Sequence, residues 1–159
     1  MSNLSFDITT ARGFFNKLTQ DISDFRNDPT SSRLAINCAM TSWHLGEWIF
    51  NDLEDLLNAD FANVKAYLID LRTVQCPSLE IMRVITNGSK HCKISSPSSK
   101  IVNTAKHDGL FSSAFSRQFD VTYLYIELED GTTIHFEDIL SEVFAFWNDY
   151  VAVRLSWSL

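Results

Sequence analysis

Apolar residues in the first half of the chain recur in steps of three and four, the spacing that collects them on one face of an α-helix. Ile8, Ala11, Phe15, Leu18, Ile22 and Phe25 form a narrow seam over residues 7–26, with Ser5 or Asp7 placed to cap it. "NDPTSS" ends that helix, because Pro29 cannot continue it and Thr30, Ser31 and Ser32 offer fresh caps. The next segment, "RLAINCAMTSWHLGEWIFNDLEDLL", is apolar or small nearly all round, which places it in the middle of a bundle. Within it Ala35, Cys38, Ala39, Ser42 and Gly46 form a stripe where another helix can approach closely, while Trp43, Trp48, Ile49 and Phe50 fill other directions. A third helix fits residues 61–74, with Asp60 as cap and Val64, Tyr67, Leu68 and Leu71 inward. "QCPS" separates it from a fourth, which starts at Pro77 or Ser78 and buries Leu79, Ile81, Met82 and Ile85. Gly88 lies late in that helix, so residues 89–92 belong to its frayed or capped end.

Beyond Ile94 the period changes. A Ser-rich, basic stretch with one short strand over residues 100–104 leads into "FDVTYLYIELEDGTTIHFED". There Leu124, Ile126 and Leu128 alternate with Val121, Tyr123 and Tyr125, and Asp130-Gly131 turns the chain into "TTIHF". A closing helix over 137–155 presents Ile139, Leu140, Val143, Phe146, Trp147, Tyr150 and Val151, with Glu137 and Asp138 at its positive end. The expectation is one α+β domain over residues 1–159, mainly helical. It comprises a helical part (7–92), a basic Ser-rich loop (93–118), a β-hairpin or three-stranded sheet (119–136) and the closing helix. Four to five helices make the bundle, and Trp43 and Trp147 are expected in its core.

Composition adds setting. With 159 residues, 45% of them hydrophobic, the chain is long enough for a core without disulfide or metal staples. Three cysteines, none spaced Cys-x-x-Cys, fit a reducing cytoplasm, and no secretory leader or membrane span is visible. The net charge of −7 opposes general adhesion to nucleic acid. It is unevenly placed, however. Residues 83–117 hold six bases (Arg83, Lys90, Lys93, Lys100, Lys106, Arg117) against Asp108 alone. That segment is either a site for a phosphate-bearing ligand or RNA, with Lys90 and Lys93 as candidate contacts, or a loop that docks on the protein's own acidic helices.

Two constellations are candidates for chemistry. In "TSWHLGEWIF", His44 and Glu47 stand three apart, so a helix presents both to one ligand. Their alternative is a core histidine bonded to its carboxylate between two tryptophans. As a metal pair they need His91, Cys92, His107 or Asp70 to complete the set, and no known ligand spacing is present, so neither metal nor cofactor is assigned. In "EIMRVITNGSKHCKI", Glu80, Arg83, Asn87 and His91 line one stripe if the helix continues. Arg83 suits a phosphate, His91 can carry a proton and Asn87 can orient a substrate, although Arg83 and His91 would lie about 12 Å apart along the axis. The bland alternative is a wet helix face on which Glu80 and Arg83 pair. Gly-rich phosphate loops, Gly-x-Ser-x-Gly and His-Glu-x-x-His are absent.

"RVITNGSKH" resembles the motif of the HEPN ribonucleases over these nine positions. Seven residues separate Arg83 from His91, a longer gap than that family's motif carries, and Val84 stands where a polar residue is often found. The resemblance implies metal-independent RNA cleavage at a homodimer interface, with His91 as base, Arg83 stabilising the phosphate and Asn87 orienting the substrate. "WHLGEW", "NGSKH" and "FAFWNDY" together also look like a set of bacterial and phage proteins, a likeness that supplies no activity. The reading placed first is therefore a small cytosolic binding or regulatory module. A HEPN-like dimeric ribonuclease comes second and a metal-binding helical protein third.

Overall fold

The computed structural model describes residues 5–91 and 100–157. It is mainly helical, with six helices and a three-stranded antiparallel sheet set before the last of them. Helix α1 (Ala11–Asn27) starts later than the apolar seam. Thr10 takes extended backbone angles and its hydroxyl accepts from Gly13 N at 3.0 Å, so the cap is neither Ser5 nor Asp7. The carboxylate of Asp52, at the end of α2 (Ser32–Asp52), accepts from Ala11 N at 2.7 Å and ties the two antiparallel helices together.

Helix α2 touches α1 and the helices over residues 64–70, 78–90 and 136–149, as its all-round apolar character implies. Its small-residue stripe is fully used: Ala35, Cys38, Ala39, Ser42 and Gly46 are all buried. A methyl on Gly46 would sit 2.8 Å from Leu68 Cδ2 and 2.9 Å from Leu71 Cδ1, so glycine is what permits this approach. Those leucines come from α4 (Val64–Asp70) and the π-helical turn Leu71–Gln75 that follows it. The third helix thus begins later than expected, because Asn63 rather than Asp60 caps it, accepting from Ala66 N at 3.0 Å. A single turn, α3 (Glu54–Leu57), fills the gap after α2.

Helix α5 (Ser78–Lys90) buries Leu79, Met82 and Thr86, and it packs on α2. Helix α6 (Phe136–Asp149) ends in a second π-helical turn, Tyr150–Arg154. Trp147 is fully buried and its indole N–H donates to Ser42 O at 3.1 Å. Trp43 corrects the expectation: it is half-buried at the edge of the core rather than inside it. Tyr67 and Tyr150 meet in the interior, hydroxyl to hydroxyl, at 2.9 Å.

The sheet runs β1 (Ile101–His107), β2 (Tyr123–Leu128), β3 (Thr133–His135), in that spatial order. β1 is longer than expected, and a bulge between Ile101 and Asn103 adjusts its register. Gly131, at φ +81°, makes the β2–β3 turn. Alternation then sorts the faces. Leu124 and Ile126 turn inward to the helices, while Tyr123 pairs with His107 and Tyr125 with His135 on the other side.

Candidate functional site

The expected α5 stripe is only partly assembled. Glu80 is gripped from two sides: Arg83 Nη2 donates to its Oε1 at 2.6 Å, and Arg83 Nε and Arg72 Nη1 donate to its Oε2 at 2.8 and 2.6 Å. Burial alone would raise the carboxyl pKa, but the hydrogen bonds from both guanidiniums outweigh it and hold the group below its ordinary range. Arg83, raised by the same bond, is engaged in the protein's own ion pair, as in the bland alternative.

Asn87 is half-buried, and its carbonyl accepts the final helical bond from His91 N at 3.2 Å. His91 itself has left the helix, with φ −125° and ψ 113°. Ser89 donates its hydroxyl back to Thr86 O at 2.7 Å in this last turn, the kind of local bond that competes with helix continuation. His91 therefore departs from the stripe. It opens instead onto a groove of about 450 Å³ between α5 and β1, alongside Ile36, Ser89, Val102 and Asn103.

His44 does not line that groove. It is half-buried on α2, with Nδ1 3.8 Å from the exposed Glu47 carboxylate, a loose contact rather than a core hydrogen bond. Burial, then the nearby Lys90 ammonium, push its pKa below the ordinary histidine value, and Glu47 opposes them. The fold thus sets the Lys90 charge near His44 and turns His91 toward the groove beside β1. Among the described residues no group of three or more His, Cys, Asp or Glu could hold a metal. Cys92 and Lys93 lie outside the described residues. Of the basic segment, Arg117 docks on the protein's own acids: it donates to Asp138 Oδ1 and Oδ2 at 2.7 and 2.9 Å and to Glu137 Oε2 at 2.8 Å. Lys90, Lys100 and Lys106 are exposed.

A different surface gathers more chemistry than any of these. On the outer sheet face, Tyr123 stacks on His135 at 3.8 Å between centroids, and the His107 ring lies 4.9 Å from Tyr123 on the other side. Burial and then the Arg117 charge lower the His135 pKa. His107 Nε2 meets Asp120 Oδ1 at 2.6 Å, and the same carboxylate's Oδ2 accepts from Leu110 N at 3.2 Å. The link from His107 to Tyr123 is consequently tied down at two points. Asp120 clips one end of it to β1, and Arg117 fastens its middle to the first turn of α6.

Gly109 makes this arrangement possible, since a methyl there would fall 2.3 Å from the backbone carbonyl carbon of Val121. Along the link run two consecutive turns, closed by Phe115 N to Ser112 O at 3.1 Å and Phe119 N to Ser116 O at 3.0 Å. Serine at the first position of each turn is the favoured choice. The repeated geometry delivers Phe115 and Phe119 to one spot beside Phe111, with ring centroids 5.3 to 6.4 Å apart. All three stay open to solvent, at 40% (Phe111), 54% (Phe115) and 52% (Phe119), and Leu110 beside them is 87% exposed. Four of the ten exposed large apolar side chains among the described residues fall in this one link, which marks it as a patch rather than scatter. Sequence reasoning passed over it as a Ser-rich loop, although the tandem "FSSAFSRQF" spacing was readable.

Comparison with known proteins finds no matching family model, no matching curated relative and no matching solved structure. Among the described residues, no helix is long and apolar enough to cross a membrane.

Proposed function

We propose that this protein is a small binding module of the cytoplasm whose working surface is the phenylalanine cluster on the β1–β2 link. One observation carries the reading: Phe111, Phe115 and Phe119 touch each other yet face solvent, on a link tied to the rest of the fold through Asp120 and Arg117. Leaving three rings about half wet forgoes about 1 kcal/mol each of burial, and a long connection built around such a cluster fits a recognition role. Pre-ordering lowers the entropic cost of binding.

The ribonuclease reading stands second. His91, accessible beside Ser89 and Asn103, favours it, while the Arg83–Glu80 pair and the departure of His91 from the stripe weigh against it.

The test is site-specific cross-linking in the cells that make the protein. A photoreactive residue at Phe115 should give a discrete adduct, and one at Val153, exposed on the second π-helical turn, should give none. No adduct at Phe115, together with RNA breakdown that His91→Ala abolishes, would replace this reading with the ribonuclease.

A further inference from the structure

The partner's chemistry can be read from what surrounds the rings. Asp108 and Asp120 flank the link in sequence, and Glu137 and Asp138 meet it through Arg117. Four carboxylates thus belong to the link or meet it, against two fixed cations, Arg117 and the adjoining Lys106; Arg117 is already engaged by Glu137 and Asp138, and Asp120 is paired with His107. We infer that the phenylalanine cluster docks a basic amphipathic segment of another polypeptide, an inference that rests on the binding-module reading above.

Charge discriminates among possible occupants. An oligonucleotide or an anionic lipid surface would set phosphates against these carboxylates, and a second copy of this chain would set the acidic border against itself. A segment with an apolar stripe and lysine or arginine edges instead matches centre with centre and border with border. The chain's net charge of −7 steers the same class of partner from a distance.

The probe is a fluorescein-labelled synthetic helix of about 15 residues with leucines at helical spacing and lysines elsewhere. It is compared by anisotropy with the same peptide carrying glutamates for lysines and with a uridine oligonucleotide. The lysine peptide should bind at least about tenfold more tightly than the glutamate one at low salt, and lose that advantage as salt rises. Phe115→Ala with Phe119→Ala, and separately Leu110→Lys at a position too exposed to affect folding, should each weaken it about tenfold or more. Equal binding of the two peptides, or preference for the glutamate peptide or the oligonucleotide, overturns the inference. So does lysine-peptide binding that both variants leave unchanged. If neither peptide binds while Phe115 still cross-links in cells, the basic partner is wrong and the binding-module reading stands; loss of the cross-link as well removes both.

Discussion

The helical body and the β1–β2 link handle their aromatic residues in opposite ways. In the body, Phe25, Tyr67 and Trp147 come from different helices and are all but removed from water. In the link, Phe111, Phe115 and Phe119 come from one short stretch, pack on each other and remain wet. Ring contacts of similar length occur in both places, so proximity alone does not distinguish a core from an interface. What separates them is whether a second layer closes over the rings. The body supplies that layer from four directions around α2, and none of the described residues supplies it to the link.

Substitutions should divide along the same line. The largest effect is expected at Trp147: alanine there removes a buried indole and its N–H bond to Ser42 O, costing about 3–5 kcal/mol by urea unfolding. Trp43→Ala, at the edge of the core, should cost about half of that. If both cost the same, the boundary of the body is misplaced. Gly109→Ala comes next, at about 2–3 kcal/mol, because the added carbon meets backbone that cannot swing aside. It should disrupt the link while leaving the helical circular dichroism intact.

Glu80→Gln should cost about 1–2 kcal/mol, discounted for partial solvent access. Its dependence on pH has a definite sign. Because the folded carboxyl pKa is depressed, its stabilisation is complete above the ordinary carboxylate range and is lost as pH falls through the lowered value. The wild-type stability should therefore drop more steeply than the variant's in that acid range. Smallest of all are Phe115→Ala and Phe119→Ala, within about 0.5 kcal/mol of wild type. A melting loss comparable to that of Trp147→Ala would show that the rings belong to the body after all.

The helices were legible because their apolar residues follow the helical period, and Thr10, Ser31 and Asn63 cap three of them. The glycine at position 46 was legible for the same reason: a stripe of small residues has meaning only if something packs on it. Less readable were the exact starts of α1 and α4, where several capping residues compete and Thr10 and Asn63 prevail. The candidate site was the least legible part. Arg83, Asn87 and His91 looked like one stripe because a period extrapolates beyond a helix end, and the local bond from Ser89 is invisible to periodicity. His107, Tyr123 and His135 come together only through strand register, which no single-strand pattern states. The phenylalanines recur every four residues without forming a helix, since repeated turns opening on serine copy that interval.

The buried tyrosine pair carries a lesson about substitution order. Tyr67 and Tyr150 satisfy one another's hydroxyls in the interior, so phenylalanine at either position alone strands the remaining oxygen. Phenylalanine at both removes the need for a partner and restores a dry, shape-matched contact. Two well-folded sequences are thus separated by single steps that are each worse than either end. A lineage crossing between them must change both residues at once or tolerate a weakened intermediate.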